Sequence, residues 1–433
     1  MIHALAGAER NIKNVMEDDL EVKNRKLKVK SEESEIVYKV PGFKAGGISS
    51  GIKSDGVKDL ALLYSEVPSN VVGVFTTNRV QASHIPLDKG RLQDGLAQAI
   101  IINSGCANAC NGERGDEDAR KMTFLVANAL GIPEDMVLVA STGKIGMPLP
   151  MEKVESGIAS VADRLNSDGW HDASEAIMTT DTVAKRILEK TVIGGKEVTL
   201  LGIAKGAGMV MPDMATMLAF LCTDACIERD ALDNALKKAV EKSFNAITID
   251  GDMSTNDTVL ILANGMAENK LIKGKGLEEG DIGFESFCII LEKVCMELAR
   301  MIVADGEGAT KVLTLSVKGV KGCGKAKELA FAVANSLLVK TAFHGSDPNW
   351  GRMMSALGSA GFDFNQNKID IYIDDIQIVG DGAGLAEEDK AKERLMKKNV
   401  DVTIDLKEGT DEFTVLTTDL SGEYVKINSE YAS

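Results

Sequence analysis

The spacing of apolar residues predicts a protein that mixes helices and strands along its length. Between Ile36 and about Glu307, short apolar runs typical of buried strands alternate with stretches whose apolar residues recur at helical spacing. Asp116 is a candidate N-cap of the first predicted helix, and Gly131 is its stop signal. The pattern belongs to the α/β (α+β) class. The predicted strands are 71–76, 99–102, 137–139 and 198–203, and the predicted helices are 116–130, 230–244 and 284–303.

The pattern changes beyond Lys311, which predicts a smaller C-terminal α/β domain. A helix is predicted over 325–340, followed by a stretch of small residues over 351–361. Period-two alternation predicts strands over 368–378, 400–406 and 412–418, with Gly409 marking a turn between the last two. The first 36 residues are charged and lack a clear apolar period, so they are predicted to be a flexible extension or a short surface helix. The predicted divisions are 1–36, 37–311 and 312–433.

Charge and composition narrow the class of protein. Lys plus Arg number 49 and Asp plus Glu number 65, which gives a net charge of −16 and argues against a nucleic-acid partner. No apolar run reaches the roughly 20 residues that span a bilayer, so no membrane partner is expected. Residues 1–36 lack the pattern of a signal or transit peptide. The seven scattered cysteines favour a reducing cytoplasm over a disulfide framework.

No metal site is predicted. Segment 250–257 begins like a calcium loop, but Thr255 stands where the loop requires glycine and Ile261 where it requires the closing glutamate. The cysteine pairs 106/110 and 222/226 have helical spacing, and the chain has only four histidines. These thiols are therefore interpreted as ordinary side chains rather than zinc ligands.

The segment 205–220 (KGAGMVMPDMATMLAF) holds the most suggestive chemistry. A glycine-rich run, expected to be mobile, meets an apolar segment at Thr216. The Thr216 hydroxyl could attack the preceding carbonyl in an N→O acyl shift, and hydrolysis would leave Thr216 as a new chain terminus. Its own α-amine, with a reference pKa of about 7.7 to 8.0, could then act as the general base. A Gly-rich turn before a buried strand is the structural alternative.

Further blocks accompany this segment and carry a family resemblance. In chain order they are 42–62 (GFKAGGISSGIKSDGVKDLAL), 73–83 (GVFTTNRVQAS), 102–112 (INSGCANACNG), 141–146 (STGKIG), 178–182 (MTTDT), 248–258 (TIDGDMSTNDT), 305–311 (DGEGATK) and 347–352 (DPNWGR). Together with 205–220 they resemble the ornithine acetyltransferase (glutamate N-acetyltransferase) family. The blocks follow the family's order over about the last nine tenths of the chain.

The resemblance implies a fold and a self-cleaving nucleophile. Family precursors cut themselves at the Ala-Thr bond of the matching motif, here Ala215-Thr216, which implies mature chains 1–215 (α) and 216–433 (β). The core implied for 37–311 is an αββα sandwich like that of self-processing amidases. Thr216 is the implied nucleophile, and Thr142 and Gly143 are the implied oxyanion hole. Two positions depart from the family pattern: Lys144 replaces a usual apolar residue, and Cys106 stands where asparagine is frequent.

The resemblance also implies the residues that bind substrate. Lys205 would lie near a carboxylate or near the new amine, and Glu307 would bind a substrate ammonium group. One threonine of the pair Thr179 and Thr180 is a substrate contact, and its spacing to Thr216 favours Thr179. The chain ends in an Asn-x-x-Tyr-x-Ser pattern that implies a tail folded over the pocket. The implied substrate-binding set is Thr179, Lys205, Thr216, Glu307, Asn428 and Ser433.

The implied activity is transfer of the acetyl group of N²-acetyl-L-ornithine to L-glutamate through acetyl-Thr216, in arginine biosynthesis. No cofactor is expected, because the protein carries the acetyl group; acetyl-CoA is a candidate second donor. The cleavage fragments are expected to associate as α2β2 in the cytoplasm. Two enzyme alternatives stay open from sequence: an amidase or peptidase of similar core, and an acyltransferase of secondary metabolism with another acyl donor. A third alternative is a non-processed binding or scaffold protein, against which the presence of the implied catalytic and substrate-binding residues argues.

Overall fold

The computed structural model describes residues 37–54, 56–211, 217–273 and 282–430. The predicted extension 1–36, the cleavage-site residues Ala215 and Thr216, and the terminal Ser433 lie outside these ranges. From Lys39 onward the chain forms one compact unit. Two β-sheets organise this unit.

The first sheet has the strand order β4-β3-β2-β8-β7-β6-β5, and β1 pairs with β2 outside this path. The pairs β3–β4 and β7–β8 are parallel, and the remaining neighbours are antiparallel. Its strands are β1 (Phe43–Ile48), β2 (Leu60–Phe75), β3 (Leu96–Cys106), β4 (Val137–Lys144), β5 (Lys185–Ile193), β6 (Lys196–Lys205), β7 (Leu218–Thr223) and β8 (Thr258–Ala263).

Helices cover this sheet in two groups. Helices α2 and α3 pack on alternate residues of β1–β4, and α5 and α6 pack on alternate residues of β5–β8. Strand residues that point to the other face of the sheet, such as Ile102 and Phe220, are also completely buried. The two halves of the sheet, joined through β2, thus lie between two helical layers as an αββα sandwich core. The helices are α1 (His84–Arg91), α2 (Gly112–Leu130), α3 (Met151–Asp163), α4 (Trp170–Ala176), α5 (Arg229–Lys242) and α6 (Ile282–Ala304).

The second sheet is built from strands beyond Lys311, in the order β12-β11-β10-β13-β9-β14. Helices α7, α8, α9 and α10 supply the apolar residues packed against it. Its strands are β9 (Val312–Val320), β10 (Asp370–Ile373), β11 (Ile376–Gly380), β12 (Ala383–Gly384), β13 (Asn399–Asp405) and β14 (Asp411–Thr418). The helices of this region are α7 (Cys323–Ala334), α8 (Leu337–His344), α9 (Trp350–Ser359), α10 (Glu388–Leu395) and α11 (Gly422–Glu430).

The mixed α/β class predicted from the sequence is confirmed, and most predicted elements are present. Gly131 ends α2 in the left-handed conformation, with φ +68°. The predicted cap Asp116 is wrong, since α2 begins one turn earlier at Gly112. The side chain of Asn111 donates to Asn108 Oδ1 and to the Met147 carbonyl, which fixes the chain just before that start.

Two predicted elements are divided in the structure. The predicted helix 325–340 breaks into α7 and α8 because Ser336 accepts a hydrogen bond from Val339 N and caps a new helix. The predicted strand 368–378 is the hairpin β10–β11, which turns at Asp374 with φ +50°. Most of the small-residue stretch 351–361 lies in α9, which begins at Trp350, and the side chain of Asn349 caps this helix by accepting from Arg352 N. In the part of the chain that the structure describes, no helix is long and apolar enough to cross a membrane.

Candidate active site

A pocket of about 250 Å³ opens where several loops of the two sheets meet. This volume lies just below the range typical of pockets for drug-sized ligands, so it suits a small metabolite. Six residues singled out from the sequence line it: Thr142, Gly143, Thr179, Lys205, Glu307 and Asn428. The other described lining residues are Lys144, Ile145, Thr180, Gly208, Met209, Ser254, Thr255 and Asn256.

Thr142 and Gly143 stand at the end of β4, where pairing with β3 becomes irregular. Gly143 lies opposite Gly105 and has φ +129°, a conformation that L side chains rarely adopt. A Cβ on Gly143 would lie 2.3 Å from the carbonyl carbon of Gly105. Only glycine therefore fits at this position, and the strand end can approach β3 closely at the pocket wall.

Lys205 ends β6 and directs its ammonium group at two threonines. Its Nζ donates to Thr179 Oγ1 at 2.6 Å and lies 3.4 Å from Thr142 Oγ1. Lysine can only donate, so each hydroxyl keeps its own hydrogen for another acceptor. Burial lowers the pKa of the Lys205 ammonium group, and the nearby Asp181 carboxylate opposes that shift. Thr179, rather than Thr180, thus makes the contact with this lysine.

A buried chain of alternating charges supports Lys205. The Lys205 Nζ lies 3.9 Å from Asp181 Oδ2, and Lys185 Nζ bridges Asp181 Oδ1 at 2.7 Å and Asp305 Oδ2 at 2.6 Å. Burial alone would raise the pKa of Asp181, but Lys205 and Lys185 outweigh it and lower the pKa to about 2. Asp181 also accepts from the backbone N–H groups of Thr179 and Gly206. This carboxylate therefore fixes three parts of the pocket wall.

Glu307 and Asn428 meet at another side of the pocket. Asn428 Nδ2, on α11, donates to Glu307 Oε2 at 2.8 Å. The backbone N–H of Glu307 donates to the Ala207 carbonyl at 2.7 Å. A Cβ on Gly208 would lie 2.5 Å from the Glu307 carboxyl carbon. The C-terminal helix thus contributes an amide to the same group of residues as the glycine-rich run.

The described part of the glycine-rich run is hydrogen-bonded to neighbouring loops. Asp250 accepts hydrogen bonds from Met209 N at 2.5 Å and from Val210 N at 2.8 Å. The Val210 carbonyl accepts from Thr248 Oγ1 and Ile249 N. These contacts fix the described part of the run because loops outside it satisfy its polar backbone groups.

The two departures from the family pattern lie in different surroundings. Lys144 lines the pocket beside Gly143, and its carbonyl accepts from Ala107 N. Cys106 is buried among apolar residues behind the strand end, where its Sγ donates to the Met147 carbonyl at 2.9 Å. Burial raises the pKa of the Cys106 thiol, which disfavours a thiolate there. Lys144 is therefore the departure that can influence a bound molecule.

The chain on the C-terminal side of the predicted cleavage site is ordered against the pocket. Met217 is buried, and its N–H donates to Asp257 Oδ1 at 3.0 Å. The next residue, Leu218, is the register partner of Lys205 across β6 and β7. The strand that follows the predicted nucleophile therefore begins beside the pocket lysine.

Sequence reasoning missed the polar residues that hold the pocket together. Asp181 and Asp305 occur in the family-like blocks 178–182 and 305–311, and Asn256 and Asp257 occur in 248–258. The sequence did offer a signal for these four residues: each is an acidic or amide side chain within a block made mostly of small and hydroxyl side chains. Lys185 begins β5 and lies outside every family-like block, so the sequence signalled neither its ion pair with Asp181, four residues before it, nor its ion pair with Asp305, 120 residues after it.

Comparison with known proteins identifies the family. Residues 44–433 match the ArgJ family. The arginine biosynthesis bifunctional protein ArgJ of Geobacter sulfurreducens is 48% identical over 90% of this chain and 99% of its own length. The corresponding protein of Caldanaerobacter subterraneus is 49% identical over 90% of this chain and 96% of its own. A crystal structure of Mycobacterium tuberculosis ornithine acetyltransferase with ornithine is 36% identical over 42% of this chain and 96% of that chain, with a TM-score of 0.36. By its match over nearly its whole length, the chain belongs to the ArgJ family.

Proposed function

We propose that this protein is a self-cleaving acetyltransferase of arginine biosynthesis that moves an acetyl group from N²-acetyl-L-ornithine to L-glutamate. Two supports are independent of each other. Family membership over residues 44–433 supports the reaction class. The meeting of Thr142, Gly143, Lys205 and Glu307 in one pocket, next to the strand that follows Thr216, supports the residues assigned to it.

The first step is cleavage between Ala215 and Thr216. The Thr216 hydroxyl attacks the Ala215 carbonyl, the acyl group moves from nitrogen to oxygen, and water hydrolyses the resulting ester. The products are chains 1–215 and 216–433, the second with a free α-amine. That amine serves as general base for the hydroxyl on the same residue. Lys205 disfavours protonation of the amine through like-charge repulsion.

Acetyl transfer then proceeds in two halves. Thr216 Oγ attacks the acetyl carbonyl of acetylornithine, and the negative charge on the carbonyl oxygen is received by the Thr142 hydroxyl and the Gly143 N–H. The C–N bond breaks, ornithine leaves with the proton, and acetyl-Thr216 remains. The glutamate amine attacks this ester, the bond between the acetyl carbon and Thr216 Oγ breaks, Oγ regains a proton from the amine, and N-acetylglutamate leaves. Loss of one oxyanion donor typically costs roughly 10²–10³ in rate.

Substrate recognition follows from the charges that line the pocket. Acetylornithine and glutamate each present a carboxylate, which the buried Lys205 ammonium group and the Thr179 hydroxyl can bind. Glu307 and the Asn428 amide face the same space and suit an ammonium group. Ser433 completes the proposed substrate-binding set. Acetyl-CoA is proposed as an additional donor to glutamate, and the cleaved chains are proposed to act as α2β2 in the cytoplasm.

Two measurements test this function. Intact mass should return two chains of near-equal size in place of the 46.2 kDa precursor, and N-terminal sequencing should find one of them starting at Thr216. Acetyl transfer to glutamate should be assayed from acetylornithine and, separately, from acetyl-CoA. Thr216→Ala should abolish both cleavage and transfer; appreciable transfer by that variant would contradict the assignment. Hydrolysis of acetylornithine without transfer to glutamate would instead indicate an amidase.

A further inference from the structure

The segment 254–258, which precedes and enters β8, contacts both halves of the proposed catalytic site. The side chain of Asn256 is buried, and its Nδ2 donates to the Ala107 carbonyl at 2.6 Å and to the Ser141 carbonyl at 2.8 Å. Ser141 directly precedes Thr142 and Gly143. Asn256 therefore ties segment 254–258 to the strand end that presents the proposed oxyanion donors.

The neighbouring residue, Asp257, contacts the other half. Its Oδ1 accepts from Met217 N at 3.0 Å, and the Met217 carbonyl accepts from Thr258 N at 3.2 Å. Both backbone polar groups of Met217 are thus bound by residues 257 and 258. Met217 is the residue from which the chain continues back to Thr216, so this contact fixes the backbone next to the proposed nucleophile.

Segment 254–258 is itself anchored to the core. Its carbonyls at Thr255 and Asp257 accept from Ala82 N and Thr76 N, each at 2.9 Å. The ring of His84 lies 3.2 Å from both the Asn256 carbonyl and Thr258 Oγ1. These partners come from the loop between β2 and α1 and from the first residue of α1. The segment is therefore bound to elements that belong to neither half of the site.

We propose that Asn256 and Asp257 are positioning residues, which together set the separation between the Thr216 nucleophile and the Thr142 and Gly143 oxyanion donors. The proposal rests on the function proposed above. The two residues are adjacent in one anchored segment, so a shift at either side chain changes the relative placement of the reacting groups. A displacement near 1 Å in such a geometry can lower the rate by roughly 10²-fold.

The charge of Asp257 offers a rival explanation that can be tested. Its Oδ2 is buried and makes no hydrogen bond of normal geometry with the described residues. Burial raises the pKa of this carboxyl well above its usual range, which favours the neutral form, although the Ser254 hydroxyl lies near enough to act to lower that pKa. An asparagine keeps an oxygen acceptor for Met217 N and is neutral at every pH. If Asp257 acts by positioning, the Asp257→Asn variant should therefore stay active and the Asp257→Ala variant should lose activity.

The first experiment replaces Asn256 by aspartate in the full-length protein. Asn269→Asp is a matched control, because Asn269 is also buried and its Nδ2 also donates to two backbone carbonyls, those of Cys226 and Lys270. We expect Asn256→Asp to lower kcat roughly 100-fold, with KM changed less than about threefold. Each kcat is calculated per cleaved enzyme molecule, with the cleaved fraction measured by intact mass. The control should keep kcat within about threefold at a similar loss in Tm, and equal kcat losses in the two variants would overturn the proposal.

The second experiment compares Asp257→Asn with Asp257→Ala, and it decides the question even if Asn256→Asp does not fold. Asp224 is the matched control. It is also buried, and its Oδ1 accepts a hydrogen bond of 2.7 Å from Thr199 N, but it does not line the pocket. We expect Asp257→Asn to retain kcat within about fivefold and the pH profile of the wild type, and Asp257→Ala to lose roughly 100-fold in kcat and to cleave slowly. Asp224→Ala should lower Tm but leave kcat and cleavage unchanged.

The outcomes separate this inference from the proposed function. If Asp257→Asn loses as much kcat as Asp257→Ala, or its pH profile shifts, the residue acts through its charge and positioning is wrong. If wild-type protein neither cleaves nor transfers acetyl groups, the proposed function fails regardless of any variant. If the wild type is active and the Asn256 and Asp257 variants behave like their controls, only the positioning inference fails.

Discussion

At the scale of single residues, Gly143 joins local backbone geometry to the proposed chemistry. Its φ of +129° and the 2.3 Å approach that a Cβ would make to the Gly105 backbone leave no room for a side chain. Backbone atoms cannot move aside as a flexible side chain can. Any larger residue must therefore push β4 away from β3 at the point where Thr142 and Gly143 face the pocket.

Gly143→Ala should lower kcat roughly 10²–10³-fold by displacing the oxyanion donors. Gly146→Ala is the control, because Gly146 also has positive φ, +75°, but nothing lies within 4 Å of its added Cβ. The control should lose about 1 kcal/mol of stability and keep its activity. Steady-state kinetics and thermal unfolding of both variants test this, and similar kcat values for the two would contradict it.

Asp181→Asn should destabilise the protein by about 3–5 kcal/mol, because it leaves Lys185 and Lys205 buried with one fewer counter-charge. Asp233→Asn, which removes an ion pair to the exposed Lys237, should cost at most about 0.5 kcal/mol. Thermal unfolding at pH 7 should separate the two variants clearly. Equal Tm losses in the two variants would mean that the buried ion pairs of Asp181 contribute no more to stability than the exposed pair of Asp233.

The same variant should change the acid stability of the protein. The pKa of Asp181 is lowered to about 2 in the folded state, against about 3.9 when unfolded. Its contribution is therefore complete above about pH 5 and is lost progressively as the pH falls from about 5 towards 2. The Tm gap between wild type and Asp181→Asn should narrow between pH 5 and pH 3. A gap that stays constant or widens over this range would contradict the assignment.

The residues predicted from sequence and those missed differ in whether a family motif assigns them a role. Thr142, Gly143 and Lys205 stand in compact motifs, so a family resemblance could identify them. Lys185 and Asp305 pair across 120 residues and are joined only by folding. A single sequence contains no record of such a contact, because either residue alone looks like an ordinary surface charge.

At the scale of elements, helix α11 connects the end of the chain to the pocket. Ser421, just before it, donates through Oγ to the Gly308 carbonyl at 2.6 Å, and Tyr424 donates to Asp250 Oδ2 at 3.2 Å. Gly308, with φ +66°, leaves room for the helix, since a Cβ there would lie 2.4 Å from Tyr424 N. The helix therefore packs on the turn that contains Glu307. It also contacts Asp250, the carboxylate that accepts hydrogen bonds from the glycine-rich run.

Asn428→Ala should raise KM for acetylornithine by roughly 10–100-fold, because it removes a charge-assisted hydrogen bond to Glu307 worth about 1.5–3 kcal/mol. Lys426→Ala is the control on the same helix, since Lys426 pairs only with exposed Glu423 among described partners. The control should leave KM within about twofold. Unchanged KM in Asn428→Ala would show that the contact with Glu307 does not orient the substrate site.

Element boundaries were predictable where the apolar period was long and failed where a short polar side chain intervened. Helix α6 matched its predicted range within two residues because its buried face is continuous. The prediction joined α7 and α8 because nothing in the local apolar period marks the cap at Ser336. The prediction also joined β10 and β11, because each strand alone keeps period two; the adjacent Asp374 and Asp375 interrupt that alternation and form the turn.

At the scale of the whole molecule, the proposed cleavage site divides a single sheet between two chains. Strands β2 to β6 would belong to chain 1–215, and β7 and β8 would belong to chain 216–433. In the sheet order, β8 pairs with β2 and β7 pairs with β6. The two strands of the second chain therefore lie between strands of the first, bonded to it on both sides.

This interleaving predicts that cleavage produces two chains that do not separate under native conditions. After processing, size-exclusion chromatography should give one species that contains both chains, and a denaturing gel should give two bands. Separation should require unfolding of the sheet, since the hydrogen-bonded ladders β2–β8 and β6–β7 and the apolar cluster around β5–β8 would have to break together. A urea titration followed by native electrophoresis provides the measurement. Loss of one chain at urea concentrations that leave the circular dichroism unchanged would contradict the shared sheet, whereas coincident dissociation and unfolding is the expected result.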